Sequence, residues 1–357
     1  MTRRLMKGNE AVVCGALFGG ATHFFGYPIT PASEIAHAAA TWFPKLGHEF
    51  LQAESEVAAV NMLYGAASAG ARVMTASSGP GIALMSEGIS YMAGAELPCV
   101  IVDIQRAGPG LGNIWPEQSD YNMVVKGGGH GNYRSIVFAP NSVQEMCDMA
   151  FRAFEIADEY RTTVFILADA YIGQMMEPVV FPDRVAPGAR KDWAVYGDEA
   201  SRGNLISSIH MSTHGQAQHN SNLQTKYEAS AVIAASEHVG TADADTVIVA
   251  FGIASRVALT AVQSLQRDGA SIALFRPKTL FPYPEQSLLD AVKHARRVVV
   301  FELNNGQMAD DVDRFIGTAG PSRNGDRRGA VIRYNWYGGV VPSAAEVIEK
   351  LKGDIDG

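Results

Sequence analysis

Val73-Met-Thr-Ala-Ser-Ser-Gly-Pro-Gly81 decides the fold. Val73–Ala76 is too short and too uniformly apolar to alternate, so it reads as a strand buried on both faces. Ser77-Ser-Gly-Pro-Gly81 then turns the chain at its carboxyl end. Strands covered on both faces belong to parallel sheets. Cys99–Ile104 repeats the pattern and runs into the loop Arg106-Ala-Gly-Pro-Gly-Leu-Gly112, and Thr163–Leu167 repeats it again. Helical patterns separate the strands. In Ser55–Ala69, Val57, Val60, Tyr64 and Ala67 are spaced for one face. Ser142-x-x-Glu145 has the form of a capping box opening a helix to about Asp158. Upstream, Glu10–Gly20 reads as a small-residue helix and His23–Gly26 as a short apolar run. Thr30-Pro31 is expected to start a helix, with Thr30 as its cap and Pro31 at the first helical position. Alternating strands and helices predict a parallel α/β domain over residues 1–182.

Residues 183–236 break this rhythm. They are rich in Ser, Asn, Gly and His and read as a connector or surface excursion, with room for some helix. A second α/β run, residues 237–357, follows. Its strands are expected at Thr246–Phe251, Ser271–Phe275, Arg297–Phe301 and Val331–Tyr334, with a helix from the Gly252 turn to Arg267. No short-period repeat or low-complexity tract occurs.

Composition narrows the function classes. The 357 residues are 47% apolar and 18% charged, with a net charge of -8 and no long basic run. Nucleic-acid and anionic-membrane binding therefore have no footing. The basic stretch Met1-Thr-Arg-Arg-Leu-Met-Lys7 is followed by no apolar run of signal length, and no stretch reaches 18 uninterrupted apolar residues. Cys14, Cys99 and Cys147 stand far apart, so an iron–sulfur or zinc site built from them is not expected. Lone cysteines in apolar surroundings fit a reducing compartment, and the expectation is a soluble cytoplasmic chain. His210, His214 and His219 lack acidic or Cys partners, and no metal site is expected in this chain. The glycines at 127–129 read as a flexible loop, since no Lys-Ser/Thr follows to make a phosphate cradle.

Ligands of open parallel sheets bind beyond the carboxyl ends of the strands. Tyr27-Pro-Ile-Thr-Pro31, Ser77-Ser-Gly-Pro-Gly81, the Arg106–Gly112 loop and the residues after Leu167 all fall there, with Glu54 and Glu56 opening the helix between the first two. Hydroxyls, glycine amides, an arginine and a carboxylate thus converge on one edge. If both glutamates are on that helix they lie about 200° apart, so they cannot share one pocket.

In order along the chain, Gly8-Asn-Glu-Ala11, Gly26-Tyr-Pro-Ile-Thr-Pro-Ala-Ser-Glu34, Ser77-Ser-Gly-Pro-Gly81 and Gln105-Arg-Ala-Gly-Pro109 resemble the α subunits of 2-oxoacid:ferredoxin oxidoreductases. Glu117-Gln-Ser-Asp-Tyr121, Gly127-Gly-Gly-His-Gly131, Arg276-Pro-Lys-Thr-Leu-Phe-Pro282 and Glu302-Leu-Asn-Asn-Gly-Gln307 continue the likeness. It spans nearly the whole chain except roughly residues 190–230. The resemblance implies a thiamine diphosphate pyrimidine-binding domain followed by a transketolase C-terminal-like domain. It implies that Glu56 shares a proton with the pyrimidine ring nitrogen, promoting the imino tautomer that takes the thiazolium C2 proton. The alternative is that Glu56 only favours its helix N-terminus through the dipole.

Arg106 matches the arginine that holds the substrate carboxylate, for which a guanidinium offers a bidentate fork. A structural salt bridge is its alternative. Thr30, with Tyr27 nearby, matches a residue contacting substrate. Ser78, Gly79 and Gly81, with Tyr27, are expected at the cofactor, unless they form a plain tight turn. The Gly-Asp-Gly motif that holds diphosphate and Mg²⁺ is missing, as are cluster-binding cysteines. The resemblance therefore implies that a β subunit supplies Mg²⁺, the diphosphate site and a [4Fe–4S] cluster. Beside it stand a γ subunit and in some cases a ferredoxin-like δ subunit, with coenzyme A as cosubstrate and ferredoxin as acceptor.

The loop Gly108-Pro-Gly-Leu-Gly-Asn-Ile-Trp-Pro116 is similar to the branched-chain (3-methyl-2-oxobutanoate) type. There Leu111, Ile114 and Trp115 either form an apolar wall or pack inside the domain. Specificity for 2-oxoglutarate or an aryl 2-oxoacid is the rival within the family. A non-catalytic α/β binding or scaffold subunit is the rival outside it.

Overall fold

The computed structural model describes residues 3–318 and 331–356, so the first two residues of the basic N-terminal stretch lie outside it. Strand β1 (Arg3–Lys7) leads into α1 (Gly8–Phe18), and β2 (His23–Gly26) into α2 (Ser33–Trp42). Next come β3 (Glu49–Gln52), α3 (Glu56–Ser68), β4 (Val73–Ser77), α4 (Gly79–Gly94) and β5 (Cys99–Gln105). They are followed by α5 (Tyr121–Val125), β6 (Ile136–Phe138), α6 (Val143–Tyr160), β7 (Thr163–Asp169), α7 (Ala170–Gln174) and β8 (Met176–Val180). After the helix α8 (Thr213–Ala229) come β9 (Ser236–Val239), β10 (Thr246–Val249), α9 (Gly252–Arg267), β11 (Ile272–Pro277) and β12 (Thr279–Phe281). The chain ends with α10 (Glu285–Val292), β13 (Arg297–Glu302), α11 (Gln307–Thr318), β14 (Ile332–Asn335) and α12 (Ala344–Asp356).

A seven-stranded sheet has the order β12-β6-β7-β5-β4-β2-β3, and a five-stranded sheet the order β14-β13-β10-β11-β9. Both are parallel except at an edge, where β12 joins β6 and β9 joins β11 antiparallel. This is the mainly parallel α/β architecture expected from the short uniform strands. Every residue of β4, β5 and β7 is buried. Two pairings lie outside those expectations. β1 pairs antiparallel with β8, and β12, from the second run, closes the edge of the first sheet.

The Ser142 hydroxyl accepts the Glu145 N–H at 3.1 Å, as a capping box requires, but Glu145 returns its carboxylate to the Asn141 N–H at 3.0 Å, one residue earlier. The same carboxylate takes a bidentate clamp from Arg276 of the second sheet, 2.8 Å on each arm. Two local expectations fail. Helix α2 starts at Ser33 behind Ala32, whose backbone is already helical, so Thr30 caps nothing. Val57 is 46% exposed, because the buried stripe of α3 is Glu56, Ala59, Val60, Leu63 and Ala67. The excursion includes α8, whose buried residues Leu223 and Tyr227 and the Lys226–Glu96 ion pair fasten it to the first sheet's helices.

Gln118 joins the two sheets. Its Nε2 donates to the Phe251 carbonyl at 2.9 Å, its Oε1 accepts the Leu303 N–H at 3.0 Å, and its own N–H reaches the Leu303 carbonyl at 2.8 Å. Beside it, Asp169 accepts the Ile253, Ile172 and Tyr171 N–H groups. Gly252 sits between them with φ +54°. A Cβ there would stand 2.6 Å from Gln118 Nε2 and 2.8 Å from Asp169 Oδ2. Gly252→Ala is therefore expected to destabilise the chain by roughly 2–5 kcal/mol, about 1–2 for a left-handed non-glycine residue and about 1–3 for overpacking. Urea melts of the full chain read this directly; a loss below about 1 kcal/mol would mean that the junction yields.

Candidate active site

Parallel register brings the strand ends to one edge: Gly26 stands beside Gln52, Ser77 beside Asp103, and Gln105 beside Asp169. Over the β4 end lies the start of α3. Ser55 caps that helix, its hydroxyl accepting the Ala58 N–H at 3.1 Å, and so fixes Glu56 as the first helical residue. Glu56 is 7% exposed, whereas Glu54 is exposed and precedes the helix. The two carboxylates therefore do not share a pocket, although the reason is a helix boundary rather than helical phase. No donor among the described residues hydrogen-bonds the Glu56 carboxylate.

The glycines of the first turn of α4 make room for carboxylates. A Cβ on Gly81 would lie 2.1 Å from Ser77 Oγ and 2.7 Å from Glu56 Oε1. One on Gly79 would lie 2.8 and 2.9 Å from the two oxygens of Asp120. Ser78 is fully buried at the cap position of α4, yet its hydroxyl caps nothing and finds no partner. Ser77 is in the same state.

Arg106, 9% exposed, donates from Nη1 to the Thr30 carbonyl at 2.8 Å and from Nη2 to the Leu111 carbonyl at 3.0 Å. It thereby ties the Tyr27–Pro31 segment to the glycine-rich loop. No carboxylate among the described residues lies within ion-pair distance of it, and its buried Nε is without a partner. Glu117 holds the loop from the other side. Its oxygens accept the Gly108 N–H and the Gly338 N–H, both at 2.9 Å, the second from beyond β14.

Two clefts open here. One of about 950 Å³ is lined by Gly79, Arg106, Leu111, Asp120, Asn304 and Tyr337. The other, about 540 Å³, is lined by Thr30, Glu34, Ile114, Trp115, Tyr171 and Gln174. The Arg106–Thr30 bond joins them. Leu111, Ile114 and Trp115 are 79%, 52% and 63% exposed, so they do not pack inside the domain. Tyr27 is half-exposed at the end of β2. The structure thus brings Thr30, Arg106 and Ser78–Gly81 to one edge with Glu56. Gly127–Gly129 is not loose: the Tyr133 hydroxyl donates to the Gly127 carbonyl and accepts the Gly129 N–H at 3.0 Å. Among the described residues, no three His, Cys, Asp or Glu side chains are placed to hold a metal ion, and His210 and His219 stack, 4.4 Å between centroids.

The sequence reading passed over the acids. Burial pushes the Asp103 carboxyl well above the usual range, and the Asp120 charge adds to the shift. Asp120 rises to about 7 through burial and the Glu117 charge, with Arg106 opposing. Asp169 rises to about 6 through burial, held back by the three N–H groups it accepts. A signal existed, because an Asp inside Cys99-Val-Ile-Val-Asp-Ile104 is an acid in an otherwise apolar buried strand.

Two family models match successive parts of the chain. Residues 14–243 match the family model "Pyruvate flavodoxin/ferredoxin oxidoreductase, thiamine diP-bdg", and residues 244–347 match "Pyruvate:ferredoxin oxidoreductase core domain II". The ketoisovalerate oxidoreductase subunit VorB of Methanothermobacter marburgensis is 54% identical, covering 89% of this chain and 91% of its own. The 2-oxoglutarate synthase subunit KorA of Archaeoglobus fulgidus is 36% identical over 88% of this chain and 92% of its own. Among solved structures, the 2-oxoglutarate:ferredoxin oxidoreductase of Magnetococcus marinus, with 2-oxoglutarate, coenzyme A and succinyl-CoA bound, superposes with a TM-score of 0.88 at 27% identity. That match covers 99% of this chain and 65% of the other. A split-gene transketolase, described as an inactive beta4 tetramer, shares the fold at a TM-score of 0.60 and 12% identity, covering 98% of this chain and 97% of its own.

Proposed function

The chain belongs to the pyruvate flavodoxin/ferredoxin oxidoreductase family, and on that premise we propose that it is the α subunit of a branched-chain 2-oxoacid:ferredoxin oxidoreductase. The complex oxidatively decarboxylates the 2-oxoacid to an acyl-CoA and CO₂ and passes two electrons to ferredoxin. The observation that carries the site reading is the Glu56 carboxylate. It is buried, without a hydrogen bond among the described residues, and given its space by Gly81.

That arrangement suits the aminopyrimidine of thiamine diphosphate, as do the unpartnered hydroxyls of Ser77 and Ser78 beside it. When bound, thiamine diphosphate supplies the carbon nucleophile and the electron sink for decarboxylation. This chain's part is to hold and orient. Glu56 holds a proton against the pyrimidine ring nitrogen, and Ser78, Gly79, Gly81 and Tyr27 border the ring. Arg106 receives the substrate carboxylate with the donors that Thr30 and Leu111 leave free, and Thr30 stands beside the substrate. Arg106 has no carboxylate partner among the described residues, which favours this role over a structural salt bridge. Exposed Leu111, Ile114 and Trp115 suit an apolar side chain, which favours the branched-chain reading over a 2-oxoglutarate type.

The Gly-Asp-Gly and cysteine motifs are missing here, and the resemblance gives the diphosphate site, Mg²⁺ and a [4Fe–4S] cluster to a β subunit, with a γ subunit and in some cases a ferredoxin-like δ subunit beside it. In this reading the chain divides into 1–182, 183–236 and 237–357, and the first segment takes the pyrimidine side, as the resemblance implies. No helix among the described residues is long and apolar enough to cross a membrane. Calorimetry tests the shared site. The chain alone is expected to carry no stoichiometric iron and to bind thiamine diphosphate weakly or not at all. Submicromolar binding by the isolated chain would refute the division of labour.

A further inference from the structure

The loop that carries Leu111, Ile114 and Trp115 is closed on itself. Arg106 and Pro116 form an antiparallel bridge at its neck, and the Ala107 N–H donates to the Trp115 carbonyl at 2.9 Å. Inside, the Asn113 N–H donates to the Ala107 carbonyl at 3.0 Å, and Asn113 Oδ1 accepts the Trp115 N–H at 2.9 Å. These bonds set the shape of the loop. Its outer face is held from the second sheet.

After β14, Tyr337-Gly-Gly-Val340 makes a tight turn. The Val340 N–H donates to the Tyr337 carbonyl at 3.3 Å, with Gly338 at φ +68° and Gly339 at φ +88°. Positive φ at both central residues is the pattern of a type I′ turn, which glycine adopts without strain. The turn is rooted in the second sheet. There the Trp336 N–H donates to the Glu302 carbonyl at 3.3 Å, and the Trp336 ring packs edge-on against Phe301, 5.1 Å between centroids. The first glycine grips the loop twice: the Gly338 N–H donates to Glu117 Oε1 at 2.9 Å, and the Gly338 carbonyl accepts from Asn113 Nδ2 at 3.1 Å. The second glycine backs the stem of the indole. A Cβ on Gly339 would lie 2.3 Å from Trp115 Cβ and 3.2 Å from its Cγ. Tyr337, on the same turn, lines the larger cleft with Arg106 and Leu111.

We propose that the Gly338–Gly339 turn is a specificity determinant for the 2-oxoacid: it holds Trp115 in place relative to Arg106 and so sets the size of side chain that fits between them. The inference rests on the reading of Leu111, Ile114 and Trp115 as an apolar wall. Arg106 fixes one end of the acid, so the position of the wall decides whether an isopropyl group touches it. A wall moved outward loses apolar contact, and a wall moved inward collides with the group. Either displacement lowers the branched acid against pyruvate, whose methyl reaches less far. A shift of Arg106 itself would weaken both acids alike and cancel in their ratio. Trp115 is thus the residue in contact with substrate, while Gly338, Gly339 and Asn113 position it.

In the assembled complex, kcat/KM for 3-methyl-2-oxobutanoate and for pyruvate is measured in wild type, Gly339→Ala, Trp115→Ala and the double variant. Cofactor content is measured for each. Gly339→Ala pushes on the Trp115 stem and is expected to lower the branched-to-pyruvate ratio about tenfold, the effect of one methylene's worth of contact. Trp115→Ala is expected to lower it at least as far. The double variant should match Trp115→Ala alone, because without the indole there is no wall to move. Asn113→Asp keeps the acceptor for the Trp115 N–H but removes the donor to Gly338, and a smaller fall in the same ratio is expected. Equal losses on both acids in an intact, cofactor-loaded Gly339→Ala complex would overturn the proposal, as would a Gly339→Ala effect that persists without the indole. So would an unchanged ratio in Asn113→Asp, which decides the matter even where the strained alanine prevents assembly. An unchanged ratio in Trp115→Ala would overturn the wall and the inference together, whereas a changed ratio there with none in Gly339→Ala removes the inference alone.

Discussion

Glu56→Gln, assayed in the assembled complex, is expected to lower turnover by roughly 10²–10⁴-fold, the range for a positioned proton-transfer group. Glutamine keeps the length and shape that Gly81 and Ser77 accommodate, so the packing at the start of α4 is unchanged. The Ser55 cap on α3 is also untouched. What disappears is the proton held against the cofactor ring. Glu54→Gln, at an exposed position ahead of the helix, is expected to stay near wild type. Cofactor content of both variants is measured with turnover, so that lost binding is not mistaken for lost chemistry. Equal, mild effects with normal cofactor content would remove Glu56 from its role.

The second large effect concerns the substrate. Replacing 3-methyl-2-oxobutanoate by 2-oxoglutarate is expected to reduce kcat/KM by roughly 10²–10⁴-fold, from the several kcal/mol that an unpaired desolvated carboxylate costs. The cleft walled by Ile114 and Trp115 contains no cation among its lining residues. It does contain Glu34. Burial works against the charge of that carboxyl, but hydrogen bonds from Gln174 and Asn9, with Lys7 nearby, outweigh it and hold the group below its usual range. A distal carboxylate would therefore meet the Glu34 carboxylate, with Lys7 already committed to it at 3.5 Å. Pyruvate, two methylene equivalents smaller, loses only apolar contact with residues that stay largely exposed, about 1 kcal/mol for each methylene at the low end of the range, so its decline is shallower. The indole of Trp115 leaves room for an aryl 2-oxoacid to match the branched-chain one. Methyl viologen reduction with the four acids ranks them, and a clear preference for 2-oxoglutarate would overturn the specificity while leaving the family in place.

Much of this architecture is legible along the chain, because short uniform strands and their glycine turns are local signals. β4, β5, β7, β10, β11 and β13 lie where Val73–Ala76, Cys99–Ile104, Thr163–Leu167, Thr246–Phe251, Ser271–Phe275 and Arg297–Phe301 put them, within a residue or two at the ends. What stays hidden depends on distant partners. The pairing of β1 with β8 joins residues far apart in sequence, and β12 finds its edge only once both sheets exist. Thr30-Pro31 looks like a helix start locally, yet the Thr30 carbonyl serves Arg106. The glycines at 79 and 81 were legible as places of close approach. Their neighbours are the Asp120 and Glu56 carboxylates, which no spacing along the chain reveals.

The most direct test of the account is product formation with and without the partner subunits. The chain co-assembled with them, given 3-methyl-2-oxobutanoate, coenzyme A, thiamine diphosphate and oxidised ferredoxin, is followed for the branched acyl-CoA and for reduced ferredoxin. The account predicts both products from the assembly, each dependent on thiamine diphosphate, and neither from the chain alone. Acyl-CoA made by the isolated chain, or an intact, cofactor-loaded assembly that makes none from any 2-oxoacid, would contradict it.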